Sequence, residues 1–258
     1  MKLEDKTAVV TGGGRGIGAA VALALAEEGA SVVVSARSED EIESVAEDLR
    51  NSGHAAWAMP CDVTDPAQIF GLAEAARERL GRVDILVNNA GTVTSVPLKS
   101  LTLETWNHTM SVNATGVFLC TKAFLPGMLE RGWGRVVNVA SIAGKTGGPY
   151  ISAYAASKHA VLGFTRSVAA EVATTGVTVN AVCPGYVDTP MTDRSVERIV
   201  AKTGADPEAV RETMRRTSPQ NRLMEPEEVA LMVVNLCDPA ARGMNGQAVV
   251  IDGGGVQS

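Results

Sequence analysis

Three side chains in this sequence have the types and spacing to move a proton to or from a carbonyl oxygen: Ser141, Tyr154 and Lys158. Tyr154 and Lys158 stand four positions apart in a stretch of helical periodicity, so they share one helix face. A free phenol ionises near pH 10; to take a proton from an alcohol near neutral pH it must be lowered by about three units, or roughly 4 kcal/mol. A neighbouring ammonium favours the phenolate, and Lys158 is placed to supply one. Taken alone, the pair is also what an amphipathic helix shows on its surface, with Tyr150 nearby. Ser141 adds the element that a surface pair lacks. It follows a β-branched run, and Tyr154 comes thirteen positions later, after a glycine-rich segment. A loop of that kind brings hydroxyl and phenol onto one carbonyl oxygen, which they would polarise.

A second constellation lies near the N-terminus. Thr11-Gly12-Gly13-Gly14-Arg15-Gly16-Ile17-Gly18 separates a β-branched run from a helical one. Glycine permits positive φ and close backbone approach. A helix N-terminus offers free N–H groups and partial positive charge, which suits a pyrophosphate. Strand, glycine turn and helix together are the context a dinucleotide site requires, although the spacing is GxxxGxG and a ligand-free turn is the plain alternative. The next strand ends Val34-Ser35-Ala36-Arg37-Ser38, without the acid that binds the adenosine ribose of NAD. Arg37 stands in its place and Arg15 can converge on it, an arrangement suited to a 2′-phosphate and so to NADP(H) over NAD(H). The alternative is two surface arginines with Glu39 or Asp40 reaching back to the ribose.

The elements that must position these groups alternate along the chain. Apolar runs at 7–10, 31–34, 55–60, 83–87, 135–139, 177–182 and 248–251 read as strands. Most are nearly continuous rather than alternating, as in parallel strands covered on both faces. Helical patterns fall at 17–28, 39–52, 66–80, 103–131, 153–174 and 226–236, with Pro66 and Pro226 in first turns and Gly29, Gly53 and Gly81 as stops. The expectation is a single α/β domain over 1–258: a doubly wound parallel sheet of about seven strands with helices on both faces. Residues 191–222 are polar, helical in pattern and lack a strand. They follow the sixth strand at the sheet edge where ligands bind, and read as a substrate lid.

With these residues in view, the chain resembles the short-chain dehydrogenase/reductase family. The matching features are Thr11-Gly12-x-x-x-Gly16-x-Gly18, Asn88-Asn89-Ala90-Gly91, Asn113, Ser141, Tyr154-x-x-x-Lys158 and Pro184-Gly185, in order from residue 6 to about 190. The segment from Gly246-Gln247 to Gly254 resembles the family's last strand. The resemblance implies a Rossmann-like fold and an enzyme acting on CH–OH/C=O groups. It implies that Tyr154 is the general acid and base, that Lys158 holds the nicotinamide ribose and lowers the phenol pKa, and that Ser141 orients the substrate oxygen. It further implies that Asn113 holds a water in a proton relay; a polar interruption of a helix is the alternative. Asn89, Ala90 and Gly91 would flank the adenosine ribose, Asp62 and Val63 would contact adenine, and Pro184, Gly185, Val187 and Thr189 would border the nicotinamide. Asp62 is also a candidate cap for the helix at Pro66, with Thr64 in competition. The family commonly forms tetramers through the helices at 103–131 and 153–174, so a homotetramer is expected.

Within the family, 3-oxoacyl-thioester reductases and polyketide ketoreductases are the nearest in look, through Met128-Leu129-Glu130-Arg131-Gly132 and Val179-Asn180-Ala181-Val182-Cys183-Pro184-Gly185. The leading reading is an NADPH-dependent ketoreductase, with a carrier-protein- or CoA-bound substrate. An NAD-dependent dehydrogenase of a hydroxyacyl-CoA, sugar alcohol or other secondary alcohol is the second. A non-catalytic dinucleotide sensor is a third, disfavoured by the intact Ser, Tyr, Lys and Asn set. Seven basic residues at 194–222 suggest an acidic partner, but interleaved acids read as a solvated helix face.

Composition bounds the rest. The net charge of −6 argues against nucleic acid as the main partner. Cys61, Cys120, Cys183 and Cys237 show no CxxC spacing, which reads as free thiols in a reducing compartment. The start Lys2-Leu3-Glu4-Asp5-Lys6 carries no apolar signal region, and no stretch reads as long enough in apolar residues to span a bilayer, so a cytoplasmic location is expected. No metal cluster is expected, and His54, His108 and His159 carry no pattern.

Overall fold

The computed structural model describes residues 1–257. Seven strands, β1 (Thr7–Thr11), β2 (Ser31–Ala36), β3 (Ala56–Pro60), β4 (Ile85–Asn88), β5 (Gly134–Val139), β6 (Val177–Pro184) and β7 (Ala248–Ile251), form one parallel sheet in the order β3-β2-β1-β4-β5-β6-β7. The doubly wound single-domain architecture expected from the alternation is the one observed.

The continuous apolar runs have the anticipated cause. Alternate residues of each strand feed opposite layers. Val10, Val32, Val34, Ile85, Val87 and Val137 pack with α1 (Gly16–Glu27), α2 (Glu39–Asn51) and α9 (Pro226–Cys237). Val9, Val33, Leu86, Val136 and Val179 face the other way, onto α3 (Pro66–Leu80), α5 (Gly116–Arg131) and α6 (Ser152–Glu171). Each such side chain contributes about 1.5–3 kcal/mol on full burial.

The helix expected at 103–131 is not regular throughout. It divides into α4 (Leu103–Met110), a π turn at Ser111–Thr115, and α5, with the Gly116 N–H bonded to the Ser111 carbonyl. One added residue in that turn carries Asn113, which is fully buried. By length and a mean hydropathy of 1.2, Leu103–Arg131 is apolar enough to cross a membrane, contrary to the sequence expectation. The reason is that both sides are apolar: Val117, Cys120, Phe124 and Met128 are buried in the domain, while Phe118 and Leu129 are exposed. The segment at 191–222 forms α7 (Pro190–Thr203) and α8 (Pro207–Arg215), which close a small core of Val196, Val210, Met214 and Leu223.

A buried amide network ties the helices to the middle of the sheet. Asn88 donates to Thr121 at 3.1 Å and to Asn138 at 2.8 Å, and Asn138 donates to Thr165 at 2.8 Å. β4, β5, α5 and α6 are thereby fixed under the strand ends. Asn138→Ala strips Asn88 of an acceptor and leaves the groups around it without water. The expected loss is about 1–3 kcal/mol in a urea denaturation series; an unchanged midpoint would show the network to be dispensable.

Candidate active site

The sheet order reverses direction between β1 and β4, and the crevice beyond their carboxyl ends is where an α/β sheet binds ligands. The glycine turn occupies that point. Gly12 (φ +64°) and Gly16 (φ +53°) take the left-handed conformation that other residues disfavour. A Cβ on Gly18 would lie 2.2 Å from the Gly12 carbonyl oxygen, so only glycine permits this closure of turn on helix. The opposing turn, after β4, is bolted to the first. The Asn89 amide donates to the carbonyls of Thr11 (3.0 Å) and Gly12 (2.9 Å), and the Thr11 hydroxyl accepts from the N–H groups of Asn89 and Ala90. Between the two turns opens a cavity of about 460 Å³ lined by Gly12, Gly14, Arg15, Gly16, Ile17, Gly18, Arg37, Asp62, Val63, Asn89, Ala90, Gly91 and Thr189. α1 begins at its floor with no side-chain cap and no acid in its first turn, so its N–H groups are open to an anion. A dinucleotide fits this cradle.

At the adenosine end the structure amends the sequence reading. Arg37 is exposed and, among the described residues, in no ion pair. Arg15 is not free: its guanidinium is held by Glu41 from α2. Neither Glu39 nor Asp40 lines the cavity, whereas Glu41 does, because it is the position in the first turn of α2 that faces the glycine loop. Asp62 caps no helix; it accepts from the N–H and hydroxyl of Thr64 in a local turn, at the cavity wall. The cap before Pro66 is Asp65, which accepts from Ala67 and Gln68.

The proton-handling groups lie just past Gly91. A Cβ on that residue would come within 3.8 Å of Lys158 Nζ and 3.5 Å of Asn113 Oδ1. Lys158 Nζ is 5.7 Å from the centre of the Tyr154 ring, and it donates to the Val139 carbonyl at 2.8 Å. Ser141 follows β5, and its hydroxyl is close enough to Tyr154 to pull the phenol pKa down. The Ser141 oxygen also accepts from Ala143 N at 3.1 Å, which fixes the hydroxyl. Asn113 donates to the Thr92 carbonyl (2.9 Å) and to Ser157 Oγ (3.0 Å) and accepts from Thr92 N (2.8 Å); Ser157 in turn donates to the Tyr154 carbonyl at 2.7 Å. The π turn is thus strapped to the helix that carries Tyr154.

Electrostatically the site differs from the simple expectation of a phenol lowered by its lysine. Burial pushes the Tyr154 phenol up, and the Ser141 hydrogen bond only partly offsets it. Burial also pulls Lys158 down to about 8. Both groups have lost water, and each is driven toward its neutral form.

Of the residues expected near the nicotinamide, Thr189 lines the cavity from the residue before α7, with its hydroxyl turned back to the Val187 carbonyl rather than onto the helix. Pro184, Gly185 and Val187 stand behind it as supports rather than as cavity wall. Gly185 N donates to Ile251 O at 2.9 Å, a Cβ there would meet Asp252 at 2.9 Å, and Val187 pairs with Met224. Several residues carried no sequence signal as cavity wall and yet line it: Thr92, Val93, His108, Arg194 and Arg198. His159, in contrast, is exposed on another face of α6. In the segment at 191–222, Arg211, Arg215, Arg216 and Arg222 are paired with acids, as interleaving suggested. Arg198 and Lys202 instead donate to the carbonyls of Val93 (2.8 Å) and Ser95 (3.0 Å), clasping α7 to the loop beyond Gly91.

A parallel sheet with a dinucleotide cradle at its reversal point, and a serine, tyrosine and lysine beside it, defines a nicotinamide-dependent oxidoreductase. The chain belongs to the short chain dehydrogenase family, whose model matches residues 6–199. It is 42% identical over 253 residues to a putative ketoacyl reductase of Streptomyces coelicolor, covering 97% of each chain. It is 36% identical to a D-beta-hydroxybutyrate dehydrogenase of Rhizobium meliloti, covering 96% of this chain and 98% of the relative. Among solved structures, a single-substitution variant of actinorhodin polyketide ketoreductase with NADPH superposes with a TM-score of 0.94 at 41% identity, covering 99% of this chain and 98% of that one.

The buried lysine has a measurable consequence. Its folded pKa of about 8 lies below the ordinary value of 10.5. The folded state therefore binds fewer protons, the stability cost is complete below about pH 8, and stability rises with pH from there towards 10.5. Lys158→Met removes that cost and is expected to stabilise the fold by about 2 kcal/mol at pH 7, after allowance for the lost bond to Val139. The gain should fade as the pH approaches 10. Guanidinium denaturation of both proteins at pH 7 and 10 measures it, and a destabilised variant at pH 7 contradicts it.

Proposed function

We propose that this chain is an NADP(H)-dependent ketoreductase that reduces a 3-oxoacyl thioester or a related ketone. The observation that carries the reading is the placement of Ser141, Tyr154 and Lys158 immediately past Gly91, at the end of the dinucleotide cradle. When bound, a reduced nicotinamide would supply the hydride. Ser141 holds and polarises the substrate oxygen. Tyr154 delivers the proton, and the upward shift of its phenol keeps that proton on it at neutral pH. Lys158 would hold the nicotinamide ribose and supplies positive charge next to Tyr154. Asn113 fixes the wall between them and retains one lone pair on Oδ1 to hold a water of a proton relay.

For the cofactor, support comes from Arg37 at the end of β2, from the missing acid there, and from the similar ketoreductase solved with NADPH. Asn89, Ala90, Gly91, Asp62 and Val63 would line the adenosine half, and Thr189 the nicotinamide. For the substrate, support comes from the ketoacyl reductase of S. coelicolor and from the 3-oxoacyl-[acyl-carrier-protein] reductase of Vibrio cholerae, 39% identical over 254 residues. The 36% identity to a D-beta-hydroxybutyrate dehydrogenase favours, as a second reading, oxidation of a small hydroxy acid. α7 and α8 act as the lid over the substrate, the exposed apolar side of α5 joins copies into a homotetramer, and four unpaired thiols support a cytoplasmic site of action.

Tyr154→Phe keeps the ring and removes the proton; kcat for acetoacetyl-thioester or cyclic-ketone reduction should fall by about 10²–10⁴ with the Kd for NADPH within about twofold of wild type. Turnover near wild type would sink the mechanism. Arg37→Asp should lower kcat/KM for NADPH by about tenfold or more and leave that for NADH unchanged or higher. A wild type that already prefers NADH in this comparison would refute the cofactor assignment.

A further inference from the structure

The geometry points to Glu41 as a residue that sets cofactor specificity: it holds the Arg15 guanidinium and puts a negative charge into the pocket that meets the adenosine 2′ position, which restrains the preference for a phosphorylated dinucleotide. This rests on the reading of Arg37 as the 2′-phosphate partner.

Three observations carry it. First, Ser38 and Glu41 stand at the spacing of a capping box, in which a serine cap and a glutamate three residues on bond reciprocally to the first turn of a helix. Ser38 is the cap of α2, but its side chain makes no capping bond. At the start of α9 the equivalent glutamate, Glu228, does reach back to the N–H of its cap residue Glu225, at 2.7 Å. The Glu41 carboxylate has been turned away from its own helix and onto Arg15, twenty-six residues earlier in the chain. Second, it is packed against the glycine turn. A Cβ on Gly14 would meet Glu41 Cβ at 2.9 Å and Oε2 at 3.3 Å, so the absence of a side chain at residue 14 makes the room. Third, Arg15, Arg37, Ser38 and Glu41 all line one cavity, and among the described residues Arg15 is ion-paired there while Arg37 is in no ion pair.

The two cofactors meet this pocket differently. A 2′-hydroxyl donates to a carboxylate, which is how an acid near this position serves NAD. A 2′-phosphate carries about two negative charges, gains from both guanidinium groups, and is repelled by Glu41. One carboxylate therefore favours the hydroxyl and disfavours the phosphate. The protein is poised to accept both cofactors, with NADP(H) ahead by less than two unopposed arginines would give.

The test uses full-length protein and two nucleotides that report the pocket without catalysis: adenosine 2′,5′-bisphosphate and 5′-AMP, titrated calorimetrically at low and moderate salt. In Glu41→Gln, affinity for the bisphosphate should rise about tenfold at low salt and less at moderate salt, with 5′-AMP changed by less than about twofold. The kcat/KM ratio of NADPH to NADH should rise in parallel. The Glu41 side chain is partly exposed, so the variant is expected to fold, and a thermal melt checks this. Arg37→Ala serves as the control. If it weakens the bisphosphate by about tenfold while Glu41→Gln leaves it unchanged or weaker, Glu41 merely orients Arg15 and the inference fails with the pocket intact. If Arg37→Ala has no effect, the assignment of the phosphate pocket itself is wrong, and the inference goes with it.

Discussion

A single side-chain amide couples the two halves of the site. Asn89 reaches from the turn after β4 to the carbonyls of Thr11 and Gly12 in the turn after β1. Strands that neighbour each other at the reversal point of a doubly wound sheet send their chains off in opposite directions, which opens a crevice but leaves its two lips independent. The Asn89 bonds, with Thr11 Oγ1 accepting from the backbone of the same turn, make one rigid surface of the two lips. From that surface the rest follows outward: α1 presents its N–H groups at the floor, Gly91 brings the chain past Lys158, and Asn113 clamps Thr92 on the far side.

Beneath the crevice, the cost of function is borne as desolvation. A buried lysine whose side-chain bond, among the described residues, is to the Val139 carbonyl and a phenol deprived of water are both unfavourable in their charged forms. The fold tolerates them because the surrounding sheet is packed on both faces and because Lys158 Nζ finds the Val139 carbonyl. Tyr154 therefore rests protonated, the form a proton donor needs, beside a Lys158 that is still charged at neutral pH. Charge brought by a nicotinamide would shift that balance.

Much of this was legible in the chain. Continuous Val-rich runs imply strands buried on both faces, and such strands pack in parallel under helices whatever their exact partners. The helix at 66–80 has its boundaries written in Pro66 and Gly81, and the glycine spacing at 12–18 states a backbone requirement that no distant contact can alter. The residue set Ser141, Tyr154 and Lys158 was legible because a strand end and one helix turn suffice to place it.

What the tertiary structure decided is the environment of those groups. A helical pattern at 103–131 contains no mark of the π turn, since the extra residue is stabilised by Thr92 and Ser157, partners remote in sequence. Arg15 looked free because the acid that binds it, Glu41, sits on the next helix, and the acids weighed from sequence were Glu39 and Asp40. His108 and Arg194 reach the cavity only because α4 and α7, distant in sequence from the glycine turn, pack beside it. Periodicity and local stereochemistry act within a few residues, so the sequence by itself determines elements and their chemistry; burial, charge pairing and pKa depend on what is packed alongside, and only the assembled fold supplies that.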